Sequence, residues 1–185
     1  MRHWLPADAA GESDVKWLIS REIPHLRRYA RALVRDRDEA DDLVQDCLER
    51  AIRKRHQWRR HGSIRSWLFR TLYRTFVNGQ VRRKRERAQV PVDGPGEGID
   101  ERLCEPPRQE DHVAWQDMAE ALGRLPDSQR AAVLLVALEG MSYDEAADIL
   151  AVPVGTVRSR LSRARETLRT TSVRRPGAIE LRRVK

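Results

Sequence analysis

One short string near the C-terminus constrains the fold more than any other part of this 185-residue chain. Ser142 and Glu145 form an S-x-x-E pair, a capping box in which a hydroxyl and a carboxylate satisfy backbone N–H groups at the start of a helix. The predicted helix is followed by a three-residue turn, in which Pro153 suits the first position of a second helix. These features predict a helix-turn-helix from Ser142 to about Arg169.

The second helix of this motif combines one apolar face with a largely cationic surface. Its apolar residues recur at intervals of three and four, so they fall within an arc of roughly 100°. The other positions carry mainly Arg, Ser and Thr. Such a helix fits the major groove of DNA, where Arg pairs with guanine and hydroxyls reach base edges or phosphates. The alternative is that the cationic face is simply exposed to solvent on a helical bundle. The apolar residues are Val154, Val157, Leu161, Ala164 and Leu168.

The net charge and the cysteines indicate which kinds of partner and cellular compartment suit this chain. A formal net charge of +8 suggests a polyanionic partner, although the position of the charge is the better guide. Cys47 and Cys104 are far apart and Cys47 lies on an apolar stripe, which predicts free thiols in a reducing cytoplasm. No apolar run approaches the roughly 18 residues of a membrane span, and the N-terminus lacks a signal-peptide core. We therefore expect a soluble cytoplasmic protein without membrane insertion.

Three helical stripes precede the motif, between about Trp17 and Arg87. The second follows a polar stretch in which Asp36 or Asp38 can cap a helix. The third opens near Ser63 and ends in a basic run. Residues 1–16 look like a loose extension. The apolar positions are Leu26, Tyr29, Ala30, Leu33 and Val34 in the first stripe, Ala40, Leu43, Val44, Cys47, Leu48 and Ala51 in the second, and Ile64, Trp67, Leu68, Thr71 and Thr75 in the third.

The polar sides of the second and third helices differ in charge. The second presents an acidic face, which disfavours DNA and suits either solvent or a basic surface on another protein. Around the third helix, aromatic residues alternate with arginines. This pattern is typical of a site for unpaired bases, which stack on aromatic rings for roughly 1–3 kcal/mol each. A hydrophobic core with arginines at its edge would give the same sequence pattern. The acidic face is Asp41, Asp42, Gln45, Asp46 and Glu49, and the aromatic residues are Trp58, Trp67, Phe69, Tyr73 and Phe76.

The chain divides into two helical units. Residues 89–112 contain four prolines, three glycines and seven acidic residues against two arginines, a net charge of −5, which predicts a flexible acidic linker. Helical periodicity returns at Val113 and stops at Gly140, before the helix-turn-helix. The expected fold class is all-α: a helical domain at 17–88, the linker at 89–112, a second helical domain at 113–170 and a basic tail at 171–185.

Three segments, in this order and spacing, resemble a known family: DEADDLVQDCLERA, GSIRSWLFRTLYRTFVN and LPDSQRAAVLLVALEGMSYDEAADILAVPVGTVRSRLSRAR. The chain resembles the extracytoplasmic-function (ECF) sigma factors over roughly Ile23 to Arg87 and Val113 to Arg169. The resemblance implies an initiation subunit that binds bacterial core RNA polymerase and promoter DNA, and that is not an enzyme. In this family the second sigma domain opens the −10 element and the fourth sigma domain reads the −35 element.

The resemblance also implies roles for residues. The acidic face is similar to the surface that docks on the polymerase clamp helices. One departure is Arg74, which stands where the best-known members carry an Asn that takes up a flipped −10 base. The implied −10 contacts are Trp67, Arg70, Tyr73, Arg74, Asn78, Arg82 and Arg83. The implied −35 contacts are Arg158, Ser159 and Arg163, with Thr156, Arg160 and Arg165 as further candidates.

Partners follow from the same resemblance. The acidic linker is expected to thread a positively charged polymerase channel. An anti-sigma factor, soluble or membrane-anchored, is expected to cover the polymerase-binding faces, and the response served is expected to be to stress or environment. Alone, the chain is expected to be a monomer.

Two other function classes compete with this interpretation. A helix-turn-helix regulator that binds duplex DNA without being a polymerase subunit would need a receiver or ligand domain, whereas the N-terminal half has helical stripes and no alternating strand pattern. An enzyme is disfavoured because the five histidines make no metal-ligand spacing with either cysteine, and no phosphate loop or nucleophile motif is present. Neither a cofactor nor a metal is expected.

Overall fold

The computed structural model describes residues 12–55, 58, 63–89 and 120–172, and the regular structure in these ranges is entirely helical. The predicted all-α fold class is confirmed. The N-terminal half contains α1 (Glu12–Val34), α2 (Arg37–Arg53) and α3 (Ile64–Gln89). After a helical turn at 120–123, the C-terminal half contains α4 (Asp127–Val133), a π-helical segment (Leu134–Leu138), α5 (Tyr143–Leu150) and α6 (Val154–Ser172).

The observed helix boundaries differ from the predicted ones at several points. Helix α1 begins at Glu12, within the predicted loose extension. The reason is that Val15 and Ile19 are buried and extend the apolar stripe of this helix towards the N-terminus. Helix α3 includes Gln89, the first residue of the predicted linker. The rest of that linker, residues 1–11 of the extension, residues 113–119 and the tail from residue 173 lie outside the described residues.

The predicted start of α2 is confirmed. The backbone N–H of Glu39 donates to a carboxylate oxygen of Asp36, the N-cap residue, at 2.7 Å. Arg35, directly before it, takes a left-handed conformation with φ of 72°, so α1 and α2 are joined by a tight connection. The predicted stripe of α2 faces the core, with Leu48 only half-buried.

The predicted stripe of α3 covers only part of its buried surface: Leu68 and Thr75 are buried as predicted, but Phe69, Leu72 and Phe76 are also buried and lie outside the stripe. The residues at the centre of the core are Leu68, Phe69 and Leu72, whereas Trp67 and Thr71 are half-buried. The reason is that α3 contacts α1, α2 and α5, so no single narrow stripe describes its buried surface. The ring of Phe69 meets that of Tyr29 edge-on at 5.2 Å. The ambiguous aromatic cluster thus divides into core rings and rings at the surface.

The C-terminal half contains the predicted helix-turn-helix. Both hydrogen bonds of the capping box are present, from Glu145 N to Ser142 Oγ at 3.2 Å and from Ser142 N to Glu145 Oε2 at 2.8 Å. Ala151 ends α5 in the left-handed region with φ of 53°, and α6 follows Pro153. The predicted helix stop at Gly140 is also confirmed, since Gly140 has φ of 67°.

A single hydrophobic cluster runs through both halves. It contains residues of α1, α2 and α3 together with residues of the π-helical segment, α5 and α6. Helix α1 contacts the π-helical segment, and α3 contacts α5. The sequence predicts two small helical units, and the structure packs them directly against one another.

Removing the ring of Phe69 tests whether the buried surface of α3 extends beyond the predicted stripe. Phe69→Ala is expected to lower the free energy of unfolding by about 3–5 kcal/mol, because it leaves a cavity beside Tyr29. Val77→Ala, on the exposed side of the same helix, should stay within about 0.5 kcal/mol of the parent chain. Urea unfolding followed by circular dichroism measures both. Similar losses in the two variants would contradict the central position of Phe69.

Candidate nucleic-acid interface

The cationic face of α6 lies at the surface. The side chains of Val157, Leu161, Ala164 and Leu168 are buried, as predicted, while Val154 is half-buried. Because the buried side is occupied by these residues, the opposite side of the helix is open to solvent. Four of the predicted −35 contacts are exposed there: Arg158, Ser159, Arg163 and Arg165.

The two remaining −35 candidates, Thr156 and Arg160, lie four residues apart on one flank of α6. Both are half-buried. Arg160 interacts with the hydroxyl of Tyr73 on α3: burial raises the pKa of Tyr73, and the charge and hydrogen bonding of Arg160 oppose that rise. A predicted −35 contact and a predicted −10 contact therefore touch each other.

A cationic groove lies between the end of α2 and the middle of α3. It has a volume of about 380 Å³. It brings together three of the predicted −10 contacts, Trp67, Arg74 and Asn78, with two cations from α2. The floor is ordered by a hydrogen bond from Arg50 Nη1 to Thr75 Oγ1 at 2.8 Å. The groove is lined by Arg50, Lys54, Trp67, Thr71, Arg74, Thr75 and Asn78.

Arg50 and Lys54 are not among the residues that the sequence predicts for this site. They lie at the C-terminal end of α2, beyond its acidic face. Their spacing of four places both on one side of α2, which is the signal available in the sequence. A cationic groove with one indole wall can accept an unstacked base together with its phosphate.

The other predicted −10 contacts are not in the groove. Arg70 is 3.7 Å from a carboxylate oxygen of Asp148 on α5, and Tyr73 meets Arg160. A cleft of about 390 Å³ lies between the halves, lined by Arg70 and Arg74 on one side and by α5 and the turn after it on the other. Arg82 is exposed, and Arg83 is paired with Glu39 of α2.

The acidic face of α2 is present on the outer side of the N-terminal half. Asp42, Gln45, Asp46 and Glu49 are exposed. Asp41 is half-buried and lies 3.6 Å from Arg31 on α1. Asp46 is 3.5 Å from Arg50, so one acid of this face contacts a cation of the groove.

The predicted free thiol is present at Cys47. It is buried, which raises its pKa to about 12, and its sulfur contacts the backbone oxygen of Leu68. Cys104 lies outside the described residues. In the described part of the chain no group of His, Cys, Asp and Glu side chains is arranged to hold a metal ion, and none of the described helices has the length and apolarity to cross a membrane.

Both halves match known protein families. Residues 19–73 match the family described as the Sigma2 domain of PhyR, and residues 115–168 match Sigma-70, region 4. The chain is 37% identical over 146 residues to the ECF RNA polymerase sigma factor EcfG of Rhodopseudomonas palustris, covering 79% of this chain and 78% of that protein. It is 36% identical over 151 residues to the ECF sigma factor SigM of Mycobacterium tuberculosis, covering 82% and 73%.

Solved structures are similar over most of the chain. The sigma factor RpoE of Bartonella quintana, in complex with the anti-sigma factor NepR, has a TM-score of 0.72 and 33% identity, covering 86% of this chain and 96% of that one. CnrH, in complex with the cytosolic domain of CnrY, has a TM-score of 0.62 and 25% identity, covering 88% and 89%. The architecture described above is therefore shared with these proteins.

Proposed function

This chain belongs to the extracytoplasmic-function family of RNA polymerase sigma factors, and we propose that it binds bacterial core RNA polymerase and directs promoter-specific initiation as a non-catalytic subunit. One observation carries the proposal. A single chain presents an exposed acidic face, a cationic groove with an indole wall and an exposed Arg-rich recognition helix. A regulator that only binds duplex DNA needs the last of these and not the first two.

For the −35 element, the contacts proposed are the exposed residues of α6. Arg158 and Arg163 supply bidentate donors and Ser159 a hydroxyl, and α6 is anchored from below by its buried apolar side. Arg165 is available for phosphate. Thr156 and Arg160, which are half-buried, are further candidates for this set.

For the −10 element, the groove supports contact with a melted strand. The Trp67 indole offers a stacking surface, and Arg74 and Asn78 offer donors beside it. Arg50 and Lys54 extend the site beyond the predicted residues by adding positive charge for phosphates. With Arg74 in the position of the family's Asn, the donor beside the base is a guanidinium rather than an amide.

The acidic face of α2 is the proposed polymerase-docking surface. Its exposed carboxylates are spaced along one side of a rigid helix, as expected for a partner with a basic helical surface. A chain of this function works where the polymerase and the nucleoid are, in the cytoplasm. Because a similar sigma factor is bound by the anti-sigma factor NepR, we also propose control by an anti-sigma factor, in a stress or environmental response.

The function as a whole is tested by initiation on linear promoter DNA with purified bacterial core polymerase. We expect promoter-dependent transcripts only when this protein is added. Co-migration with core in gel filtration measures binding separately. Absence of binding to core would refute the proposal, since the alternative regulator needs no contact with core.

Arg163→Ala is expected to reduce transcription from promoters with an intact −35 element, because a bidentate pair with a base contributes roughly 1–3 kcal/mol, or about 5- to 150-fold. Binding to core should not change. Arg169→Ala is the matched control, since Arg169 is exposed on the same helix and is paired with Glu166. Equal losses in the two variants would mean that α6 contributes only general positive charge.

Asp46→Arg is expected to abolish binding to core while the helical circular dichroism spectrum stays unchanged, because reversing an exposed charge rarely disturbs packing. Glu120→Arg is the matched control. Asp46 and Glu120 are both exposed and both face an Arg four residues later, at 3.5 Å and 2.5 Å. Undiminished affinity of Asp46→Arg for core would remove the acidic face from the docking surface.

A further inference from the structure

The polar lining of the cationic groove between α2 and α3 offers a ligand many hydrogen-bond donors and few acceptors. Arg50, Lys54 and Arg74 carry donors only, and Asn78 carries both donors and an acceptor. The remaining polar groups are two threonine hydroxyls, whose protons are already engaged within the helix. Within the described part of the chain, no carboxylate lines the groove. The lining therefore suits a ligand whose polar edge consists of acceptors.

The hydroxyls of Thr71 and Thr75 are engaged along the axis of α3. Thr71 Oγ1 donates to Trp67 O and Thr75 Oγ1 donates to Thr71 O, both at 2.9 Å. Thr75 Oγ1 also accepts from Arg50 Nη1 at 2.8 Å. Neither hydroxyl retains a proton for a base, and Arg50 is held against the floor of the groove. Donation to a base therefore falls to the other side chains of the lining.

Arg74 is the cation of the groove that is best placed to contact the edge of a base. Its side chain is exposed, and it has no hydrogen-bond or ion-pair partner among the described residues. Trp67 lies seven residues earlier, two turns of α3, so both side chains lie on the same side of the helix and line the groove. A base that stacks on the indole leaves its polar edge free for the guanidinium.

A guanidinium presents two parallel N–H donors in one plane, so it forms a bidentate pair with a base that has two adjacent acceptors. Guanine has such a pair in O6 and N7, and cytosine has one in O2 and N3 when its pairing edge is free. Adenine places its amino donor beside N7 and N1, and thymine places N3–H between its two carbonyl oxygens. In adenine and thymine a donor would therefore face a donor of Arg74, which leaves one hydrogen bond unmade.

We propose that Arg74 determines the base specificity of the groove and that the groove selects an unpaired guanine or cytosine over adenine or thymine. The proposal rests on the proposed function, in which the groove holds the melted −10 strand. Arg50 and Lys54, on the α2 side, then hold the phosphate of that nucleotide, because a contact to phosphate does not distinguish the bases. The groove thus takes its specificity from α3 and its affinity for the backbone from α2.

The test uses core polymerase with the full chain, bound to promoter DNA that carries a fixed unpaired bubble at the −10 element. Each unpaired position of each strand is occupied in turn by each of the four bases. The dissociation constant is measured with fluorescently labelled DNA at a fixed salt concentration, since phosphate contacts depend on salt. At one position, guanine, cytosine or both are expected to bind at least about fivefold more tightly than adenine and thymine. Equal affinities for the four bases at every position would overturn the proposal.

Two substitutions of Arg74 separate specificity from general affinity. Arg74→Gln replaces the guanidinium by an amide, which pairs bidentately with N6 and N7 of adenine, so the preference should move to adenine. Arg74→Lys keeps the charge as a single point donor, so the preference should disappear while the mean affinity stays within about threefold. A role in folding alone would lower the affinity for all four bases together. Retention of the parent chain's preference by Arg74→Gln would contradict the assignment.

Arg53→Gln is the matched control, since Arg53 is exposed on α2 and does not line the groove. It removes the same charge and should leave the order of the four bases unchanged. A change of order as large as in Arg74→Gln would refute the role of Arg74. If the full chain forms no complex with core, the proposed function fails instead. The free chain on short single-stranded oligonucleotides then still reports the base preference, so the two failures are distinguishable.

Discussion

A carboxylate removed from water is the constraint on which the arrangement of the two halves depends. Burial of the Glu139 side chain is tolerated only with paired charges and hydrogen bonds. Its partners come from α1 and α3, that is, from the other half of the chain. A buried ion pair adds little net stability compared with an apolar substitute, but it penalises every arrangement that leaves the charge unpaired. Apolar burial thus drives the association, and Glu139 fixes its orientation.

The π-helical segment brings Glu139 to that position. The N–H of Glu139 donates to Leu134 O at 3.0 Å, five residues back, so one more residue fits in this turn than in an α-helix. The extra residue rotates everything after it by about 100° relative to a regular helix. Leu134 and Leu135, within this segment, are both buried. Gly140 then ends the segment and the capping box starts α5, so the buried carboxylate is connected to the recognition helix through a short, ordered stretch.

The features that the sequence predicts well are local ones. The capping box and the Asp36 cap each depend on two residues three positions apart, and their hydrogen bonds form as predicted. The stripe predicted for α3 misses Phe69 and Leu72, because the burial of this helix is decided by contacts with three other helices. Nor is the role of Glu139, which in the sequence is one acid before a glycine. Its partners Arg28 and Arg65 are 111 and 74 residues away, and no local pattern marks them.

Charge in this chain serves two purposes that compete. A formal net charge of +8 attracts any nucleic acid, yet Arg28 and Arg65 hold the buried carboxylate, Arg70 is paired with Asp148 and Arg83 with Glu39. Cations that are paired within the chain contribute less to the field that draws in DNA without regard to sequence. Arg70, which is paired with Asp148, is therefore less available to an anionic partner than the exposed arginines of α6, which are Arg158, Arg163 and Arg165.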